Sequence, residues 1–295
     1  MKGRNKTADF VALTKPSITR MCLLMAAGGM ALAPTPQTAE GDGSLGWFTI
    51  VCTFLGIGLA VGGANAFNMW WERNTDGLMS RTKRRPLPTG RLRPAVAFNF
   101  AAALSLASIA VLAVGANTLT AVLAALSILS YVAVYTPLKY KTPAALIIGA
   151  VPGAAPPLLG WTAVTGSIDP PAVVLFFILL VWQLPHFIAI ALYRKQEYAR
   201  AGIKVVPLVR GDAMAKIQAV AWVLVLVPLS LLLVPIGGAG LIYFVSAALL
   251  GAAFLGWSFT GLDNDAGVKW ARNYFLASLV YLPALTLALV ADVLL

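Results

Sequence analysis

The sequence is divided into long apolar runs of about 20 residues, separated by short polar stretches. A helix of that length crosses the hydrocarbon core of a bilayer, which is about 30 Å thick. Because 59% of the residues are hydrophobic and only 11% are charged, a soluble domain could not bury this much apolar surface. The chain is therefore predicted to be an all-α integral membrane protein. The nine predicted spans cover residues 17–34, 47–70, 95–114, 117–135, 144–163, 172–192, 214–235, 238–259 and 272–293.

The positive charges occupy only one side of this predicted bundle. All 22 Lys and Arg residues fall in or beside the N-terminal tail or every second loop, and the intervening loops contain none. Cytoplasmic loops are the ones enriched in Lys and Arg. We therefore predict a basic cytoplasmic tail at 1–16 and a nine-helix domain at 17–295 in a bacterial-type cytoplasmic (inner) membrane. The net charge of +11 accompanies no nucleic-acid-binding motif, so membrane lipid is an expected partner and nucleic acid is not.

A cluster of amide, carboxylate and basic side chains begins at the end of the second predicted span, in the stretch NMWWERNTDGLMSRTKRRPLPTGR (residues 68–91). Asn68, Glu72 and Asp76 are spaced four residues apart, which would place all three on one face of a continuous helix. Two carboxylates on one face repel each other unless a cation lies between them, and Mg²⁺ prefers such oxygen ligands together with substrate phosphates. The alternative interpretation is a solvated helix end whose acids pair with Arg73 and Arg81.

The basic residues that come next favour a phosphate site. Arg81, Arg84 and Arg85 follow the carboxylates, before Pro86 and Pro88 break the helix. A guanidinium group binds phosphate oxygens with two hydrogen bonds, and a metal ion held by carboxylates bridges the same oxygens. The order of these residues therefore predicts a diphosphate pocket, although the same arginines could serve as topology anchors.

A second polar group lies inside the sixth predicted span. His186 is the only histidine in the chain, and it follows Gln183 and Pro185 in an otherwise apolar run. Ionisable residues at membrane depth are usually functional, and imidazole is a common ligand of heme iron. General acid–base catalysis and a hydrogen-bonded structural histidine are the alternatives that the sequence leaves open.

These motifs resemble those of a known family. Asn-x-x-x-Glu-x-x-x-Asp followed by Arg-Thr-x-x-Arg-Pro-Leu is similar to the first signature of the UbiA-type intramembrane prenyltransferases. The stretch at 68–91, with the blocks YTPLKYKTP, GAAPPLLGW and WQLPHFIAIALYRKQEYARAGIKVVP, resembles the heme-farnesylating branch of that superfamily. The resemblance extends over nearly the whole chain. It implies a UbiA-type bundle of nine helices with its active site at the cytoplasmic face.

The resemblance also implies an activity. The expected reaction transfers farnesyl from farnesyl diphosphate to the vinyl group of heme B, with addition of water, to make heme O for heme–copper oxidases. The expected cofactor is Mg²⁺, and heme A synthase or oxidase assembly proteins are candidate partners. One departure is that the superfamily generally carries a second Asp-rich motif after the sixth span, where this chain has only Glu197. We expect Lys139, Arg194 and Lys195 to supply positive charge there instead.

The alternative function is a prenyltransferase of the same fold that acts on a quinone or another aromatic acceptor. A transporter would place its site near the middle of the membrane, and an assembly subunit would leave the spacing of the carboxylates unexplained.

The expected site residues fall into four groups. The catalytic residues are Asn68, Glu72, Asp76 and His186, and the metal ligands are Asn68, Glu72, Asp76 and Glu197. The diphosphate-binding residues are Arg81, Arg84, Arg85, Lys139, Arg194 and Lys195, and the residues that bind heme or other substrate are His186, Gln183, Tyr135, Trp182, Tyr193 and Arg200.

Overall fold

The computed structural model describes residues 6–34 and 45–294, and the regular secondary structure in that part of the chain is entirely helical. Among the described residues, eight helical segments are long and apolar enough to span a membrane, and a ninth is present if a bent pair, Lys6–Leu13 and Pro16–Leu32, is one span. The helices are α1 (Lys6–Leu13), α2 (Pro16–Leu32), α3 (Trp47–Trp71), α4 (Pro94–Gly115), α5 (Thr118–Leu129), α6 (Thr136–Leu138), α7 (Ala145–Thr165), α8 (Pro170–Tyr193), α9 (Lys195–Arg200), α10 (Val206–Val209), α11 (Asp212–Leu231), α12 (Leu241–Thr260) and α13 (Val268–Leu294).

Each predicted span corresponds to one of the long helices, and the prediction of an all-α membrane protein is confirmed. The fourth span is composite, because a π-helical segment at Ser130–Tyr135 joins α5 to α6. The predicted tail and domain include residues 1–5, 35–44 and 295, which lie outside the described residues. The cytoplasmic location of the N-terminus stays a prediction.

The predicted basic tail contains a packed helix, α1. Leu13 is fully buried in a cluster that includes Ala66 and Met69. At the other end of the helix, the Asp9 carboxylate accepts a hydrogen bond from the Arg91 guanidinium across 2.9 Å. These contacts hold α1 against α3 and the loop that follows it.

The chain divides into two compact units. The first comprises Met1–Leu138 and Ala155–Ser167, and the second comprises Lys139–Ala154 and Ile168–Leu295. The buried carboxylates predicted from the sequence lie in the first unit, and the single histidine lies in the second.

Two glycines allow α2 and α7 to pack closely in the first unit. A Cβ atom added to Gly29 in α2 would overlap the carbonyl oxygen of Pro157, and one added to Gly160 would overlap that of Ala26. Small residues at helix interfaces in membranes allow backbones to approach each other in this way. This contact fixes α2 against the second half of α7. The N-terminal end of α2 lies next to Lys15, whose side chain contacts Asn68.

In the second unit, α12 begins at a carboxylate from a different helix. Asp292 in α13 accepts hydrogen bonds from the backbone N–H groups of Gly240, Ile242 and Tyr243, the last two at 2.9 and 3.2 Å. The first N–H groups of a helix have no partner within that helix, and negative charge there is favourable. Asp292 therefore acts as the N-terminal cap of α12.

Replacing Asp292 by Ala should lower stability, because the α12 N–H groups would lose their acceptor. Loss of such a cap costs about 1–2 kcal/mol. The expected result is a lower melting temperature of the purified protein in detergent. The control is Asp265→Ala, which removes a carboxylate from an exposed loop; equal melting temperatures for the two variants would contradict the capping role.

Candidate active site

The carboxylate cluster of the first unit begins at the end of α3. The prediction of one continuous helix through Asn68, Glu72 and Asp76 is wrong, because α3 ends at Trp71 and Asp76 starts a short 3₁₀ helix. The four-residue register nevertheless persists in the backbone. The N–H of Glu72 donates to the Asn68 carbonyl at 3.0 Å, and the N–H of Asp76 donates to the Glu72 carbonyl at 2.8 Å.

Local side chains explain why α3 ends here. The last carbonyl groups of a helix have no partner further along the same helix. The Arg73 guanidinium donates to the Trp70 carbonyl at 2.8 Å, and the Thr75 hydroxyl donates to the Glu72 carbonyl at 3.1 Å. Such side-chain bonds offer the backbone an alternative to further helix. The sequence pattern of every fourth residue does not contain this information.

The three predicted metal ligands are buried. Asn68, Glu72 and Asp76 are exposed to 2%, 6% and 0%, so the interpretation as a solvated helix end is wrong. Nη1 of Arg85 donates to both carboxylate oxygens of Asp76, at 2.9 and 2.8 Å. The Thr82 hydroxyl donates to the Asp76 backbone carbonyl at 2.7 Å, which fixes the turn that carries the carboxylate.

Lys15 also reaches this cluster, although the sequence analysis treated it only as part of the basic tail. Its Nζ donates to Oδ1 of Asn68 at 3.0 Å. The residue lies between α1 and α2 with φ 48° and ψ 69°, a left-handed conformation that costs energy for a residue other than glycine. Because Pro16 begins α2 and α1 is packed in place, the chain turns sharply at Lys15. No pattern of periodicity or charge would have indicated this contact.

The other side of Asn68 meets the composite fourth span. Its Nδ2 donates to the Thr136 hydroxyl at 3.4 Å, and that hydroxyl donates to the Tyr131 carbonyl at 2.8 Å. The rings of Tyr131 and Tyr135 lie 5.3 Å apart within the π-helical segment. Such π-helical insertions often occur at functional sites. Thr136 was missed by the sequence analysis, whereas Tyr135, one residue before it, was predicted.

The predicted diphosphate-binding arginines occupy different environments. Arg85 is partly buried against Asp76, whereas the side chains of Arg81 and Arg84 are exposed. The backbone carbonyl of Arg84 accepts a hydrogen bond from Arg91 at 3.0 Å. Arg85 is thus an arginine that the structure places on a predicted metal ligand, Asp76.

In the second unit, α8 places His186 in a buried aromatic cluster. The ring is 8% exposed, stacks on Trp182 at 4.8 Å and lies 4.9 Å from the ring of Phe275. Its Nδ1 is 2.7 Å from the hydroxyl oxygen of Ser278 in α13. The sequence analysis missed Ser278 and Phe275, because nothing in the pattern of α13 distinguishes them from ordinary apolar packing.

Gln183 lies one turn before His186 and is 6% exposed. Its side-chain amide nitrogen, Nε2, donates to the carbonyl oxygens of Ala150 and Leu179 at 3.1 and 3.0 Å. A Cβ atom added to Gly153 would overlap Oε1 of Gln183, so the glycine makes room for this side chain. The bond to Ala150 joins α8 to α7, and the bond to Leu179 lies within α8 itself.

The acid-poor stretch after α8 is held by ion pairs. Arg194 binds Glu197 and Lys195 binds Asp212, each at 2.8 Å. A hydrogen bond with Tyr193, aided by Glu197, holds the pKa of Arg194 above its usual value, so this side chain stays charged. Within the described residues, no group of three or more His, Cys, Asp or Glu could hold a metal ion. Metal binding by Glu197 stays a prediction.

The remaining predicted residues lie around this stretch of the second unit. Lys139 is 9% exposed, and its ammonium lies 5.7 Å from the centre of the Tyr140 ring. The Tyr193 ring lies 5.6 Å from that of Phe275, which also contacts His186. Arg200 is exposed at the end of α9. Tyr193 is thus connected to the histidine cluster, whereas Arg200 is on the surface.

The chain belongs to the UbiA prenyltransferase family, whose model matches residues 22–279. It is therefore a multi-pass membrane prenyltransferase, as predicted. Within that class it is similar to the protoheme IX farnesyltransferase of Myxococcus xanthus, with 47% identity over 97% of this chain and 94% of the relative. It is also similar to the protoheme IX farnesyltransferase of Sorangium cellulosum, with 54% identity over 81% and 86% of the two chains.

Solved structures confirm the predicted fold. A digeranylgeranylglyceryl phosphate synthase matches with a TM-score of 0.81 over 98% of both chains, at 17% sequence identity. A UbiA homolog from Archaeoglobus fulgidus, bound to DMAPP and Mg²⁺, matches with a TM-score of 0.65 over 96% of this chain and 99% of that one, at 15% identity. At such low identities the likeness concerns the fold alone.

Proposed function

We propose that this chain transfers a farnesyl group from farnesyl diphosphate to a vinyl group of heme B, with addition of water, to give heme O. The observation that carries the proposal is the buried cluster of Asn68, Glu72 and Asp76, with Arg85 on its last carboxylate. The similarity to protoheme IX farnesyltransferases over almost the whole chain supports heme as the acceptor.

The cluster fits Mg²⁺ by the chemistry of its donors. It offers one amide oxygen and two carboxylates, and Mg²⁺ prefers oxygen ligands of this kind together with phosphates. Basic groups already lie at this set of ligands, since Lys15 donates to Asn68 and Arg85 donates to Asp76. We therefore assign Mg²⁺ to Asn68, Glu72 and Asp76. When bound, it would neutralise charge that develops on the leaving diphosphate.

The cationic side chains of the cluster would hold the diphosphate. Arg85 and Lys15 bring basic groups into the buried site through their contacts with Asp76 and Asn68, and Arg81 follows Asp76 in the same loop. Donors fixed in a site of low dielectric stabilise developing negative charge more strongly than water does. They favour breaking of the bond between farnesyl C1 and the diphosphate oxygen, whose electron pair leaves with the diphosphate.

The surrounding helices would protect the allylic cation that this step produces. An apolar bundle excludes water and so prevents early hydrolysis. The heme vinyl group then donates its electron pair to farnesyl C1 and forms the new carbon–carbon bond. Water adds to the resulting carbocation and loses a proton, which leaves a hydroxyethylfarnesyl side chain.

In the second unit we propose that His186 acts on heme, either as a ligand to its iron or in proton transfer. Imidazole suits both tasks. Gln183, Trp182 and Tyr193 are proposed to line the same substrate region. Lys139, Arg194 and Lys195 are proposed to supply positive charge, and the exposed Arg200 to bind a heme propionate.

We also propose that the basic loops, and hence the active site, face the cytoplasm across an inner membrane. The support is that every Lys and Arg falls in the tail or in and beside alternate loops. The tail at 1–16 and the nine-helix domain at 17–295 are proposed as the domain organisation. Heme A synthase or oxidase assembly proteins are proposed as partners that receive or deliver heme.

Replacing Lys15 by Met should raise the KM for farnesyl diphosphate by about tenfold, because a charge-assisted contact in the site is lost. Steady-state kinetics with heme B held constant would measure the effect. Arg20→Met is the matched control, since Arg20 is another cation near the N-terminus but is exposed. A KM that is equal in Lys15→Met and the wild type would show that Lys15 helps to orient the chain in the membrane but does not bind substrate.

The proposed reaction can be tested in membranes that contain the expressed chain. They would be incubated with heme B and farnesyl diphosphate, in the presence of Mg²⁺ or of a chelator. The hemes would then be separated by chromatography, and their masses would be measured by mass spectrometry. The expected product has the mass of heme plus farnesyl and water, and it forms only with Mg²⁺. Prenylation of a quinone precursor without any heme adduct would favour the alternative acceptor.

A further inference from the structure

Ser278 in α13 is the point at which two residues of α8 meet. The Trp182 Nε1–H donates to the Ser278 backbone carbonyl at 3.0 Å. One helical turn later, His186 Nδ1 lies 2.7 Å from the Ser278 hydroxyl oxygen. Ser278 is fully buried, so neither bond competes with bulk water. A single serine thereby fixes both members of the stacked Trp182–His186 pair.

The hydroxyl hydrogen of Ser278 is already used. The hydroxyl oxygen lies 2.6 Å from the Phe275 carbonyl oxygen, to which it donates. Two oxygen atoms so close together without a hydrogen between them would repel each other. A serine hydroxyl has one hydrogen to donate and lone pairs with which to accept. Toward His186, Ser278 is therefore the acceptor, and Nδ1 of the ring must carry a hydrogen.

This assignment fixes the chemistry of the opposite ring nitrogen. In a neutral imidazole one nitrogen carries the hydrogen and the other carries the lone pair. With Nδ1 protonated and bound to Ser278, Nε2 is the nitrogen with the lone pair. The partner of one ring nitrogen commonly determines in this way which nitrogen binds a metal or takes a proton.

We propose that Ser278 is a positioning residue that holds His186 as the Nδ1–H tautomer, so that Nε2 presents its lone pair to the acceptor substrate. The part that concerns substrate rests on the proposed function, in which heme iron or a proton is the partner of Nε2. The part that concerns the tautomer rests only on contacts within the second unit. Trp182 supports the arrangement, because its own bond to Ser278 holds the ring on which His186 stacks.

The tautomer can be measured directly, because His186 is the only histidine in the chain. Protein grown with ¹⁵N-histidine and purified with a histidine-free tag would give the signals of this ring alone in solid-state NMR. The expected spectrum shows a protonated Nδ1 and an unprotonated Nε2 in the membrane-embedded, substrate-free protein. A protonated Nε2, alone or together with Nδ1, would overturn the proposal.

Three variants distinguish the effect of the Ser278 hydroxyl on the tautomer from the effect of altered helix packing. Ser278→Ala should lose the single-tautomer spectrum, whereas Ser278→Thr, which retains the hydroxyl, should keep it. Ser105→Ala is the matched control, because Ser105 is also a buried helical serine that donates to a carbonyl of its own helix. An unchanged tautomer in Ser278→Ala, in protein that remains monodisperse, would overturn the positioning role.

Kinetics then connect the tautomer to the reaction. We expect Ser278→Ala to lower kcat for heme farnesylation by about tenfold, with the KM for farnesyl diphosphate unchanged and activity recovered in Ser278→Thr. An unchanged kcat in Ser278→Ala would overturn the part that concerns substrate. If the wild-type chain forms no heme adduct at all, the proposed function fails, while the NMR spectrum still decides the tautomer.

Discussion

Replacing Asp76 by Asn is expected to reduce heme farnesylation by at least about a hundredfold, because the site loses a buried carboxylate that would bind Mg²⁺. Asp76 is fully buried and is bound by Arg85 through both oxygens. The amide keeps the shape of the side chain but removes its charge. Glu72→Gln should have a similar effect for the same reason. The measurement is the initial rate of heme adduct formation at saturating concentrations of both substrates.

The matched control is Asp263→Asn, which makes the same chemical change in an exposed loop. It should leave the rate within about twofold of the wild type, since surface substitutions have small effects. Insertion and folding of each variant can be checked by membrane fractionation and size-exclusion chromatography. Near-normal product formation by both Asp76→Asn and Glu72→Gln would contradict the proposal that these two carboxylates bind Mg²⁺.

Replacing His186 by Ala is the second change with a large expected effect. We expect kcat to fall by about a hundredfold or more, because the ring is the one imidazole in the chain and would act directly on the acceptor. Added imidazole should restore part of the activity if the ring itself takes part in the reaction. The rate and the absorption spectrum of bound heme would be measured in the same samples.

Phe187→Ala serves as the control for loss of an aromatic side chain at this position of α8. Phe187 is next to His186 in sequence, contacts its ring edge-on and is 36% exposed. Its removal should have little effect on kcat. Unchanged activity and an unchanged heme spectrum in His186→Ala would instead identify the histidine as a structural residue.

Much of the fold could be predicted from the sequence, because the membrane imposes a simple rule on it. Every spanning helix must be long and apolar, and each predicted span corresponds to a helix. The joints between helices follow no such rule. The π-helical segment at Ser130–Tyr135 and the early end of α3 at Trp71 depend on local hydrogen bonds, which periodicity does not encode.

The candidate site was predictable where neighbouring residues form a motif. Asn68, Glu72, Asp76 and Arg85 are close in sequence, and the structure brings Asp76 and Arg85 into contact. Lys15 could not be assigned in this way. Its contact with Asn68 depends on a sharp turn between two packed helices. The presence of a lysine at this position was already explained by the enrichment of Lys and Arg on the cytoplasmic side of a membrane protein.

The same limit applies around the histidine. A lone histidine in an apolar span was sufficient to predict a functional residue in α8, but its partner Ser278 lies 92 residues away in sequence. Serines that donate to carbonyls of their own helix are common, and nothing in the sequence distinguishes this one. The departure from the family's second Asp-rich motif was visible in sequence, and the ion pair between Arg194 and Glu197 occupies that stretch.

The most direct test of the central claim is a competition between acceptors for limiting farnesyl diphosphate. The purified chain, with Mg²⁺ present, would receive equal concentrations of heme B and a quinone precursor, and mass spectrometry would quantify both adducts. We predict that wild-type protein forms the heme adduct carrying farnesyl and water, and that Asp76→Asn forms neither adduct. A prenylated quinone precursor as the main product, or an undiminished heme adduct in Asp76→Asn, would contradict the account.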